Sequence, residues 1–202
     1  MRTLGVLIFP EFELLDVFGP LEMFGMLPET FAIRLVAERE RNVASAQGPR
    51  SGADALFSDA GHYDILLVPG GRGTRREVDN PALLSWLREK AAAADMVASV
   101  CTGSALRAKA GLLDGAKATT NKMAFAWVSS QGPRVLWQPQ ARWVEDAKFV
   151  TSSGVSAGID MSLAVIARCC GEEQARQVAL WAEYEWHRDP SWDPFAKIHG
   201  VV

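Results

Sequence analysis

The sequence predicts an α/β fold, with a mostly parallel sheet covered by helices on both faces and a cysteine nucleophile elbow at one sheet edge. Three observations predict it. Apolar, strand-like runs alternate along the chain with segments whose apolar residues recur at helical spacing. The run Met96 to Val100 ends in a lone cysteine, Cys101, and a small-residue helix pattern starts at once in Thr102-Gly103-Ser104-Ala105-Leu106. No repeat, low-complexity tract or linker divides the 202 residues, a length that suits a single α/β domain over 1–202 with a sizeable core.

Taken in order, Thr3 to Phe9 reads as a buried strand. Leu14, Val17, Phe18, Leu21 and Phe24 then recur at helical spacing around Gly19-Pro20, which predicts a helix restarting at Pro20. Phe31 to Ala37 alternates like a second strand, and the polar, turn-rich stretch from Val43 to Asp59 predicts a small hairpin. Asp64 to Val68 is a continuous apolar run halted by Pro69-Gly70-Gly71. Asp79-Asn80-Pro81 caps a helix that continues to about Ala94. After the elbow strand and its helix, Ala116 to Thr119 reads as a short strand and Met123 to Ser130 as a short helix. Val135 to Trp137, Arg142 to Glu145 and Phe149 to Ser152 look like antiparallel strands, with a turn at Asp146-Ala147. Ile159 to Cys170 and Glu172 to Trp186 read as two final helices.

The composition narrows the function. A net charge of −3, with no dense Lys or Arg run beyond Arg72, Arg75 and Arg76, argues against nucleic acid as a partner. No stretch approaches a membrane span, and Leu4 to Phe9 is too short for a signal-peptide core. Three cysteines, two of them adjacent, are no disulfide framework and point to a reducing, cytoplasmic compartment. No histidine pair or His-carboxylate set has metal-ligand spacing.

In sheets of this kind ligands sit beyond the carboxyl ends of the strands. Three loops meet that description: Pro10 to Asp16, Pro69 to Gly73, and Cys101-Thr102. Cys101 reads either as a small buried hydrophobe or as a nucleophile whose thiolate the first helical N–H groups favour. Asp16, among Leu14, Leu15, Val17 and Phe18, is either a helix cap or a carboxylic acid that resists ionisation and can give up and retrieve a proton. Glu11 and Glu13 are its rivals in the same loop. Gly70-Gly71, with Gly73 following, could present backbone N–H groups to a developing negative charge, with the Thr102 N–H as second donor; such a pair is also an ordinary turn. His62 lies at the far edge of the predicted sheet, and His187 and His199 in a polar, aromatic tail. Cys169 and Cys170, within an apolar helix, are expected to be inert beside Cys101.

Several segments carry a resemblance: Leu14-Leu15-Asp16-Val17-Phe18-Gly19-Pro20, Val68-Pro69-Gly70-Gly71-Arg72-Gly73, Ser99-Val100-Cys101-Thr102-Gly103-Ser104, Ala118-Thr119-Thr120 and Ser153-Gly154-Val155-Ser156-Ala157-Gly158-Ile159-Asp160. In order over nearly the whole chain, they resemble the ThiJ/PfpI superfamily, which is class I glutamine amidotransferase-like, and within it the isocyanide (isonitrile) hydratases. The resemblance implies a flavodoxin-like three-layer sandwich, usually a homodimer, with the active site near the subunit interface. It implies Cys101 as nucleophile, Asp16 as the acid at its sulfur, and Gly71 and Thr102 as oxyanion-type donors. Gly70, Asn121, Val155 and Ile159 are then expected in the substrate pocket.

The implied activity is hydration of an isocyanide to an N-substituted formamide, with a small-molecule substrate and no cofactor. The alternatives are another hydrolase of the superfamily (glyoxalase-, amidase- or protease-like) or a non-enzymatic ligand or redox sensor. Two departures stand out. Where such hydratases read His-Trp, this chain has Asn121-Lys122, and an amide cannot shuttle a proton near neutral pH. The tail Glu185 to Pro190 is also more polar than a typical hydratase ending.

Overall fold

The computed structural model describes residues 1–202. The chain runs through β1 (Arg2–Leu7), α1 (Leu14–Gly25), β2 (Phe31–Ala37), β3 (Asn42–Ala44), β4 (Arg50–Gly52), β5 (Ala55–Leu56) and β6 (Ile65–Val68). It continues through α2 (Thr74–Glu77), α3 (Pro81–Ala93), β7 (Met96–Ser99), α4 (Gly103–Lys109), β8 (Lys117–Ala118), α5 (Phe125–Ser130) and β9 (Leu136–Trp137). It closes with β10 (Trp143–Asp146), β11 (Phe149–Ser152), α6 (Ala157–Cys170), α7 (Glu172–Trp181) and α8 (Pro194–Ile198).

Seven strands form one sheet in the order β10-β11-β7-β6-β1-β2-β5, parallel throughout except for the antiparallel edge strand β10. The central strands β6 and β7 are buried from end to end because helices cover both faces. That double burial is why they read as unbroken apolar runs rather than alternating ones. On one face α1, α6 and α7 pack together; α2 and α3 pack on α4 on the other. From β1 the chain passes to β2 on one side and later to β6 and β7 on the other, so its direction reverses between β1 and β6. The loops beyond β1, β6, β7 and β11 therefore open at one edge, where ligands of such sheets bind.

Five expectations change. Helix α1 does not restart at Pro20 but runs through it; the ring costs one i−4 hydrogen bond, and packing against α6 holds the helix. The predicted hairpin forms as β3 and β4, but β5 leaves it to pair with the edge of the main sheet at Val36 and Ala37. The segment Val135 to Trp137 is not part of an antiparallel set: β9 pairs in parallel with β8, in a separate two-stranded sheet. Helix α7 stops at Trp181, before the left-handed backbone at Glu183 (φ 48°). Beyond it, Tyr184 Oη and the His187 N–H donate to Asp160 Oδ1, and the Trp186 indole donates to the Asp160 carbonyl. The fifth difference is α8, an additional helix in the polar tail.

Asp160 is fully buried and its other oxygen takes two bonds from Arg142, at 2.7 and 2.6 Å. Removing either member of such a pair leaves a buried charge without its partner, a loss of about 3–5 kcal/mol. This cluster fixes the returning tail against α6, close to the sheet edge that carries the elbow.

Candidate active site

Cys101 follows β7 with φ 57°, the left-handed backbone that side chains other than glycine rarely adopt. Such a position costs on the order of 1–3 kcal/mol and persists where the surroundings enforce it. Here the Cys101 N–H donates to the Ser153 carbonyl, and the Cys101 carbonyl accepts from Thr120 Oγ1 at 2.9 Å and Ser104 Oγ at 3.1 Å. Gly103 makes the turn possible, because a Cβ there would strike the Val68 carbonyl. The strand-to-helix elbow is thus built from three neighbouring loops.

The N-cap of α1 is Glu13, so Asp16 is not the cap. Asp16 sits in the first turn with no solvent exposure, and its Oδ2 accepts the Gly70 N–H at 2.8 Å. Its Oδ1 is buried without a hydrogen-bond partner, and the Cys101 thiol stands near enough to act on the carboxyl. Burial pushes the Asp16 carboxyl well above the usual carboxylate range, and the charge of Glu13 adds to this. Glu11 pairs with Arg76 at the surface and Glu13 accepts from Gln47, so neither rival reaches the sulfur.

The expectation of a low thiol pKa is corrected. Burial first, then the charge of Asp16, push the Cys101 thiol well above its ordinary value. Helix α4 has only seven residues, and its field is outweighed by desolvation. The Thr102 N–H, the Asn121 amide and the Thr102 hydroxyl act the other way, stabilising the thiolate. It follows that Asp16→Asn should speed alkylation of Cys101 by iodoacetamide at pH 8, read by peptide mass spectrometry. An unchanged rate would mean that the Asp16 charge does not reach the sulfur. The thiols of Cys169 and Cys170, in the last turn of α6, are also raised by burial.

Two of the expected donors are engaged. The Gly70 N–H is held by Asp16, and the Gly71 N–H donates to Thr102 Oγ1 at 3.1 Å. Only the Thr102 N–H faces the sulfur. Gly71 itself needs to be glycine: its φ is 124°, and a Cβ would strike the Glu11 carbonyl. Asn121 does reach the site, with Oδ1 accepting the Ala124 N–H at 3.0 Å and its amide nitrogen packed with Cys101 Sγ around Gly154. Gly154 leaves room for that amide, and a methyl group added there would stand 3.1 Å from Cys101 Sγ.

A cleft of about 310 Å³ opens beside Asn121 and Gly154, walled by Leu15, Met123, Val155 and Phe195. Val155 lies where expected. Ile159 does not line this cleft, because its side chain packs over Gly19 between α1 and α6. His199 lines the cleft, whereas His187 is tied to Asp160 and His62 bonds to Asp64 before β6. Phe195 was missed because α8 was missed, and His199, weighed only as a residue of the polar tail, reaches the cleft because α8 carries it there. The signal was present in Asp193-Pro194, an N-cap residue followed by proline, the same pattern read at Asn80-Pro81.

The structure contains no group of three or more His, Cys, Asp or Glu side chains arranged to hold a metal ion. No helix is long and apolar enough to cross a membrane.

Comparison with known proteins bears on this site. The profile of the DJ-1/PfpI family matches residues 2–168. The chain is 33% identical to an isonitrile hydratase of Pseudomonas putida over 181 residues, covering 90% of this chain and 78% of that one. It is 29% identical to the HTH-type transcriptional regulator GbdR of Pseudomonas aeruginosa over 189 residues, where it spans about half (51%) of the relative. Among solved structures, a ThiJ/PfpI family protein from Pseudomonas syringae superposes with a TM-score of 0.85 at 28% identity, covering 99% of this chain and 84% of that one.

Proposed function

From the premise that the chain belongs to the DJ-1/PfpI family, we propose that it is a cysteine-dependent isocyanide hydratase. The observation that carries this reading is the Cys101–Asp16 pair: a soft nucleophile beside a buried acid that has no cation to neutralise it. The identity with an isonitrile hydratase supports it.

The reactive form is the pair holding one proton. The sulfur attacks the terminal isocyanide carbon as thiolate, and Asp16 gives its proton to that same carbon, leaving a thioimidate and a carboxylate. The Asp16 carboxylate then takes a proton from water as the oxygen adds to the thioimidate carbon, and passes it to the nitrogen. Collapse of the adduct breaks the C–S bond, returns the hydroxyl proton to Asp16 and releases the formamide. The sum is isocyanide plus water to formamide. The Thr102 N–H and the Asn121 amide hold the sulfur's charge between steps. Asn121 orients and donates but carries no proton across, so Asp16 alone moves protons.

This reading places a cytoplasmic enzyme in a homodimer, with the exposed Leu15 and Phe18 of α1 supplying an apolar face for the second copy. The discriminating assay offers purified protein cyclohexyl isocyanide, methylglyoxal and unfolded casein. N-cyclohexylformamide should form, with no casein cleavage. Lactate from methylglyoxal without any formamide would replace this reading with a glyoxalase-like one.

A further inference from the structure

We propose that α8 is the specificity wall of the cleft that opens beside Asn121 and Gly154, the residues packed against Cys101, with Phe195 the side chain that sets substrate size. The proposal rests on the cleft being the substrate site of the hydration reaction. Leu15 comes from the helix that carries Asp16, and Asn121, Met123 and Val155 from the loops that build the elbow, whereas Phe195 and His199 are brought in from the far end of the chain. Phe195 is 45% exposed yet faces the cleft, while its neighbour Ala196 is buried and anchors the helix inward.

The wall is fixed at both ends. Upstream, Tyr184 and His187 bond to Asp160, and the Pro190 carbonyl accepts from the Arg142 N–H at 2.8 Å. At the helix start, the buried Asp193 caps α8 by accepting the Phe195 N–H at 3.0 Å. Its second oxygen is buried without a hydrogen-bond partner, and the Lys122 ammonium attracts it electrostatically. Lys122 is itself held by Thr119 Oγ1 at 2.7 Å and the Ala141 carbonyl at 2.5 Å, and it follows directly on Asn121. The loop that orients Asn121 toward the sulfur thus also holds the wall. Beyond the helix, the Val201 N–H closes back on the Ala196 carbonyl at 2.8 Å.

A wall pinned in this way limits size rather than opening for entry. The apolar lining from Leu15, Met123, Val155 and Phe195 suits an isocyanide with a compact cycloalkyl or monocyclic aryl group. A fused or extended substituent meets the Phe195 ring.

The test compares kcat/KM for 2-naphthyl and isopropyl isocyanide in wild type, Phe195→Ala and Phe195→Trp. In parallel, Cys101 is labelled with N-ethylmaleimide and with N-(1-pyrenyl)maleimide, which reports access without any turnover. The ratio of large to small should rise about tenfold in Phe195→Ala and fall in Phe195→Trp, in both assays. Opposite signs for the two variants are a response that loss of fold does not produce. Ratios unchanged in the labelling assay would overturn the wall. Shifted labelling ratios with no formamide from any isocyanide would support the wall and overturn the hydration reading.

Discussion

Asp16→Asn is expected to lower turnover by about 10²–10⁴-fold, the range for loss of a positioned general acid, while relieving the fold of a buried carboxyl. The asparagine Oδ1 can still accept the Gly70 N–H that Asp16 Oδ2 accepts now. The stability effect has a definite sign. The folded Asp16 carboxyl titrates well above its unfolded value, so between about pH 4 and the first ionisation of the folded pair the native state binds more protons than the unfolded chain. Stability contributed by Asp16 is therefore complete below the unfolded pKa and is lost as pH rises through that window. Above it, native and unfolded forms each carry one proton on the pair, and the loss levels off. Denaturant titrations from pH 4.5 to 8 should show the asparagine variant gaining on wild type as pH rises. A variant that loses ground with rising pH would mean Asp16 is ionised in the fold and stabilised there.

The second large effect is at the sulfur. Cys101→Ala should reduce formamide production on the order of 10⁴-fold or more, as removal of a nucleophile does when the remaining groups act only through it. The fold should survive, because alanine meets the same left-handed backbone as cysteine and the Thr120 and Ser104 bonds go to the main chain at 101. Circular dichroism should match wild type. Substantial turnover in a folded alanine variant would move the chemistry away from the elbow.

The elbow was legible because its signals are local: Met96 to Val100 is apolar, and Thr102-Gly103-Ser104 can only turn and open a helix. The edge shared by Asp16, Gly70 and Cys101 was legible because alternating strands and helices dictate which loops open together. Five features were not. The Gly71 N–H reads as a free donor in sequence, and only the placement of Thr102 Oγ1 shows it engaged. The thiol's direction depends on a contest between seven helical residues and near-complete burial, and burial wins. The tail hid α8 because a five-residue helix has too little periodicity to rise above polar neighbours, although its Asp193-Pro194 start was readable. Ile159 follows the correct loop but lies in the first turn of α6, on the face that meets Gly19. The parallel pairing of β8 with β9 is decided by packing across 17 intervening residues, from Thr119 to Val135, and not by anything in either strand.

Mass spectrometry of wild-type protein quenched during turnover of cyclohexyl isocyanide tests the account at its centre, the bond between Cys101 Sγ and the isocyanide carbon. The peptide bearing Cys101 should gain the mass of one isocyanide while substrate lasts and lose it as the formamide accumulates, with Cys169 and Cys170 unmodified. Steady formamide production with Cys101 unmodified at every quench time would contradict it.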